Sequence, residues 1–179
     1  MRTFWKRVSI VAAIAAIAAF AAGGSAGAVA RGTTSVDLEP ATIDVVVNVL
    51  GLSPAAVTPG QLSGLEASFP IVGNAKDGVI KHVGGLSLSD GETTLKLTRY
   101  FIDTNVGQLT AVASVDDVRV GRIPLFDVTL IAPAAGCAAS ADLALTSDAA
   151  GALDAIFDLP VEPEDLTGAD FGTACVAPR

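Results

Sequence analysis

The chain has 179 residues, 51% of them apolar, with 19 Asp and Glu against 11 Lys and Arg and a net charge of −8. That length suits one domain with a sizeable core. The acidic balance disfavours nucleic acid and anionic membrane surfaces as partners, because both carry charge of the same sign.

Arg2, Lys6 and Arg7 precede an apolar run from Val8 to Ala22 and a stretch of small residues ending in Ala28-Val29-Ala30. This is the layout of a secretory signal peptide, with a basic start, an apolar stretch of the expected ~7–15 residues and an A-x-A cleavage site. Residues 1–30 are therefore expected to be a signal peptide, cut after Ala30. A retained anchor would need about 20 strongly apolar residues, and here that length is reached only by counting Ala and Gly. No stable membrane insertion is expected after cleavage. Cleavage would leave 31–179 as a single domain with eight basic and 19 acidic residues, a net charge of −11. GGSAG at residues 23–27 fits the G-x-S-x-G pattern of a hydrolase nucleophile, but that motif acts on a strand-to-helix turn and this one lies in the segment expected to be removed.

Residues 31–39 read as a flexible leader into a first short strand. Ile43, Val45, Val47 and Val49 alternate with polar residues and predict a half-buried strand ending at Gly51. LSPAAVTPG reads as a connection, and a strand is expected to resume from Leu62 to Val72, with Pro70 at its end or on an edge. From Gly78 to Ile131 apolar residues recur at alternate positions, as in Leu86/Leu88, Leu95/Leu97, Leu109/Ala111/Ala113/Val115 and Val118/Val120, with breaks at Gly, Asp and Asn. That pattern predicts successive antiparallel strands with one buried face. Asp90-Gly91 signals a tight type I′ hairpin, DTNVG at residues 103–107 and VDD at residues 115–117 are further turns, and Pro124 should bend or split the run that follows. One helix stands out after residue 146: Ser147 can cap it, Asp148 suits its first turn, and Leu153, Ile156 and Phe157 fall on one side. The acidic stretch VEPEDLTGAD and a last strand, FGTACVA, complete the chain.

Cys137 and Cys175 are the only cysteines, and in an exported protein they are expected to form one disulfide. His82 is the only His and Tyr100 the only Tyr. With one His and both thiols paired, Ser-His-Asp and Cys-based catalytic sets cannot be assembled readily. Asp116-Asp117 and the Glu162/Glu164/Asp165 run read as solvated turns rather than as acid/base pairs, and the latter lacks the spacing of a Ca²⁺ loop. No metal site is expected, and the chain is expected not to be an enzyme.

The block GVIKHVGGLSLSDGETTLKLTRYFIDTNVGQLTAVASV resembles a segment of the HtaA-type domains of secreted and surface proteins of actinobacteria. The matching positions are Gly78, Val79 or Ile80, His82, Gly84, Gly85, Leu86, Leu88, Gly107, Leu109, Thr110 and Ala111. It is also similar to small exported actinobacterial proteins that share Phe69-Pro70-Ile71, Tyr100 to Thr104 and Ile123-Pro124-Leu125. The resemblance implies a β-rich, sandwich-like domain and, for the HtaA group, haem capture at the cell envelope through an axial Tyr supported by a His. His82 matches that His. The group's axial Tyr lies in a W-x-[VI]-x-x-S-F-x-x-Y segment, whereas the corresponding GLEASFPIVG has neither the Trp nor the Tyr, and Tyr100 is not at the matching position.

The sequence thus points to an antiparallel β-sandwich with one short C-terminal helix, secreted or at the cell surface. It is expected to serve as a non-enzymatic envelope binding or structural module, its partner an unknown envelope component or small ligand, with no cofactor. The alternative is haem binding and uptake of the HtaA type. His82 and Tyr100 are the candidate ligand-binding residues, and His82 is expected to be structural, hydrogen-bonded near Gly84-Gly85. N-terminal sequencing of exported protein should begin at Arg31; any other start would count against cleavage after Ala30.

Overall fold

The computed structural model describes residues 31–178; the segment read as a signal peptide lies outside them. Gly32–Leu38 is not a leader but a full strand, β1. Thr34, Val36 and Leu38 alternate inward, which the run of small hydroxyl residues hid from a reading based on apolar spacing.

The valine-rich segment after it is helical. Pro40–Asp44 forms α1 with Pro at its first turn, and Val45–Val49 continues it as a π-turn. The decisive spacing is Ile43, Val46 and Leu50, which face the core, and not the alternate valines. Val45, Val47 and Val49 are 36%, 41% and 51% exposed. Proline at the first helical position leaves no donor unpaired, and the Asn48 side chain donates to Asp44 Oδ1 one turn back.

Ser53–Val57, expected to be a connection, is the edge strand β2, where Pro54 is tolerated. β3 (Gln61–Ser63) pairs with the start of β4 (Glu66–Lys76), and β5 (Val79–His82) pairs with its end. Pro70, which has no N–H to give, sits where β4 changes partner along that edge. Asp77 and Gly78 join β4 to β5 with both residues at positive φ, as a tight hairpin requires. At Asp90-Gly91 the hairpin between β6 (Gly85–Ser89) and β7 (Thr94–Asp103) has a longer turn, in which Asp90 Oδ1 accepts from the N–H groups of Glu92 and Thr93. These bonds hold the Asp90 carboxyl below its ordinary pKa.

β8 (Gln108–Val115), β9 (Val118–Ile131), β10 (Ala139–Leu145) and β11 (Asp170–Pro178) complete the strands. Pro124 does not split β9; a bulge beside it lets one long strand bend while pairing with β8 and then β10. The pairing runs β7-β5-β4-β1-β11-β10-β9-β8 and returns to β7. The fold is therefore a closed eight-stranded antiparallel barrel and not a sandwich. Both architectures use the same inward alternation; closure depends on β7 pairing with β5 and β6 along one edge and β8 along the other, which local periodicity does not encode. β6 and β2 extend from β7 beyond the barrel.

The helix is present as α2, Ser147–Phe157, but Thr146 is its cap: the Thr146 hydroxyl accepts from Ala149 N–H at 3.1 Å and donates to Pro124 O at 3.0 Å. Together with the short α3 (Pro163–Leu166) it buries Ala149, Ala150 and Leu166 against the core. Cys137 and Cys175 are bonded, joining the segment before β10 to β11 across 38 residues of sequence.

Gly84 and Gly85 carry the chain from β5 to β6. A Cβ on Gly84 would overlap the Gly60 backbone, and one on Gly85 the Leu97 carbonyl. Gly85→Ala should lower stability by about 1–3 kcal/mol, the usual cost of overpacking. Gly151→Ala, where a helical Cβ meets nothing, should raise it by about 0.5–1 kcal/mol; urea unfolding midpoints of the two variants should move in opposite directions.

Candidate functional site

The bulge in β7 organises the interior. Thr98 pairs with Val112 and Phe101 with Thr110, so three steps on β7 oppose two on β8. The extra residue falls at Arg99, a non-glycine at φ 52°. Leu95 and Leu97 point inward before it, and Tyr100 and Ile102 after it. Without the bulge Arg99 would enter the barrel and Tyr100 would leave it.

His82 and Tyr100 consequently line one apolar space with Thr34, Phe69 and Phe126. His82 is 2% exposed. Its Nδ1 lies 3.3 Å from the carbonyl of Tyr100, which can only accept, so Nδ1 carries the proton. Nε2 then accepts from the Thr34 hydroxyl at 2.7 Å. Burial pushes the ring's pKa down to about 4, against a smaller upward pull from the Tyr100 carbonyl. The Tyr100 hydroxyl accepts from Leu86 N–H at 2.9 Å, its ring stands edge-on to Phe69 at 4.8 Å, and burial pushes its pKa well up. The two predicted ligand residues are thus brought together, through the carbonyl of Tyr100 and not its phenol. The interior keeps only about 40 Å³ free, enough for a water.

A larger concavity lies on the outside. Val79, Lys81, Phe101, Asp103, Val106 and Thr110 belong to a groove of about 580 Å³ across β5, β7 and β8. Lys81 is paired directly with Phe101, and Phe101 with Thr110. The Lys81 ammonium lies 5.3 Å from the Phe101 ring centre and the Arg122 guanidinium 3.9 Å from it, a cation–π arrangement. Arg122 also donates to the carbonyl and hydroxyl of Thr110. Its pKa is lowered by partial burial and by the charges of Arg99 and Arg119. Lys81 and Arg122 thus approach one aromatic ring, and Arg99 and Arg119 stand near enough to Arg122 to lower its basicity. At the other end Asp103 Oδ1 accepts from the backbone and side chain of Asn105. Among the described residues no group of three or more His, Cys, Asp or Glu is placed to hold a metal ion.

Thr34, Lys81, Phe101 and Arg122 escaped the reading of the sequence. Thr34 sat in the supposed leader, and the other three occupy outward positions that alternation assigns to solvent. The one signal available was a bulky aromatic, Phe101, at such a position.

No protein family model and no curated protein sequence matches the chain. Its fold does match solved structures. The C-terminal domain of HtaA from Corynebacterium glutamicum aligns with 82% of this chain and 97% of its own at 13% identity and TM-score 0.55. The heme binding protein HtaB from the same organism aligns with 81% of this chain and 90% of its own at 12% identity and TM-score 0.54. The chain has the HtaA-type fold. The reading of the chain as an envelope module of unspecified binding or structural role is corrected by these matches: a heme binding protein shares its fold, and the haem alternative is the better supported of the two.

The two spaces fit such a group differently. The interior is too small for a porphyrin, and its His and Tyr are already bonded. The outer groove has the volume of a ligand site, apolar surface from Val79, Phe101 and Val106, and Lys81 as a cation beside the carboxylates of Asp77 and Asp103, with Arg122 next to it on the Phe101 ring, but neither His82 nor Tyr100 faces it.

The buried His82 gives a clean pH signature. Its folded pKa of about 4 lies below the unfolded value near 6.5, so between these values the unfolded chain binds the proton and the native one does not. Stability is full above pH 6.5 and falls as pH drops towards 4, by on the order of 3 kcal/mol. His82→Gln should flatten this slope in urea midpoints measured from pH 7 to 4; an unchanged slope would refute the assignment.

Proposed function

We propose that this protein binds haem, as a non-enzymatic carrier that is secreted or held at the cell surface, and that the porphyrin lies on the outer barrel wall over Phe101. The observation that carries this reading is the Phe101 ring in the lining of a groove of ligand size, with the Lys81 ammonium and the Arg122 guanidinium both near it. A porphyrin is a flat apolar ring with two carboxylates on one side. Phe101, Val79 and Val106 offer it surface, while Arg122 and Lys81 offer charge-assisted hydrogen bonds to its carboxylates.

The HtaA-type fold, which this chain shares with the heme binding protein HtaB, supports the same reading. Of the S-F-x-x-Y pattern this chain keeps only Ser68-Phe69, without its Tyr. Counting from Ser68-Phe69, the place of its Tyr is Val72, which pairs with Lys81 on the outer row that includes Phe101. The chain thus lacks the Tyr donor at that place on the wall.

Titration of purified protein with hemin should give a saturable change in the Soret band. Phe101→Ala and Arg122→Ser should each weaken binding about tenfold, equivalent to ~1.4 kcal/mol, with urea midpoints little altered. Failure of hemin to saturate the protein would overturn the proposal.

A further inference from the structure

We infer that this protein recognises the porphyrin through its ring and carboxylates and not through iron, so that it takes iron-free protoporphyrin as readily as hemin. The inference rests on the haem-binding reading above and adds what the site selects for.

An axial ligand needs a lone pair that is both free and within reach of the metal, and protein donors of that kind are mainly His nitrogen, Tyr phenolate, Met sulfur and Cys thiolate. The described residues hold one His and one Tyr, no Met, and two cysteines that are bonded to each other. The His82 Nε2 lone pair is taken by Thr34 inside the barrel. The Tyr100 hydroxyl accepts from Leu86 N–H, and the ring is 5% exposed. Both side chains point to the interior face, whereas Lys81 and Phe101 pair on the opposite face of the same strands. Reaching iron in the groove would require turning β5 or β7 over, and the strand period of two means that every neighbour on that strand would turn with it.

What the groove does present is suited to the rest of the ligand. Beside its lining, the Arg122 guanidinium lies 3.9 Å from the centre of the Phe101 ring and donates to Thr110. Arg99, held outward by the bulge, and Arg119 lie close enough to depress its basicity. An incoming carboxylate would relieve that mutual repulsion, which gives the site a reason to prefer anions. The groove's own carboxylates, Asp77 and Asp103, belong to the two turns that bound it, and Asp103 is already engaged by Asn105.

The test compares hemin with protoporphyrin IX on the purified protein, hemin by absorbance and protoporphyrin by its fluorescence anisotropy, followed by displacement of one by the other. The expected result is dissociation constants within about threefold of each other, and mutual displacement at one site. Phe101→Ala and Arg122→Ser should weaken both by about tenfold, and His82→Gln should change neither by more than about twofold. Hemin binding more than tenfold tighter than protoporphyrin, or lost in His82→Gln while that variant remains folded by circular dichroism, would overturn the inference and leave haem binding standing. Saturable binding of neither would instead remove the haem reading itself.

Discussion

The extra residue in β7 is the constraint on which the rest of the molecule depends. It exchanges the inward and outward faces of the strand between Thr98 and Phe101, at the cost of placing Arg99 in a conformation that side chains other than glycine seldom adopt. What offsets that cost is visible around it. Arg99 N–H donates to Gly84 O, Tyr100 O accepts from His82, and Tyr100 Oη accepts from Leu86 N–H. The bulge also falls where β6 gives way to β5 along the edge of β7, so a single irregularity serves the pairing, the interior and the outer wall together.

The Gly84-Gly85 pair and His82 belong to that same junction. The two glycines allow backbones to approach where any Cβ would collide, and the ring of His82 ties β5 to β1 through Thr34 and to β7 through Tyr100. A motif that reads as a ligand signature is therefore also a packing signature. Its residues satisfy buried polar groups in a barrel interior where an unpaired one would cost about 1–3 kcal/mol.

Much of the strand pattern was legible in the sequence because one face of most strands from β5 to β9 faces the core, and period-two alternation follows directly; Val118/Val120 at the start of β9 alternate without a buried face, at 70% and 66% exposed. α2 was legible for equally local reasons, and the disulfide because the chain has two cysteines and reads as exported. β1 was legible only as a short strand after a leader, because its inward Thr34 carries a hydroxyl whose use depends on a His 48 residues away. The helix at Pro40 was misread because a valine run satisfies both periods, and only the tertiary partners of Val46 and Leu50 decide between them. Barrel closure and the outer groove share one cause of illegibility: each is a juxtaposition of several strands, written in register and not in composition.

The pairing of β1 with both β4 and β11 sets a limit on the order of assembly. Gly32 lies opposite Pro178, so the first strand has its final neighbour only when the last has been made. Until then β1 and β10 expose unpaired edges and the hydrophobic interior has no wall between them. Such a chain folds late and through contacts of long sequence separation, which makes closure slow. Once closed, the two ends of the described chain leave the barrel side by side. A short linker could join them and new ends could be opened at the Asp116-Asp117 turn, giving a circularly permuted barrel with the same wall and a different order of synthesis.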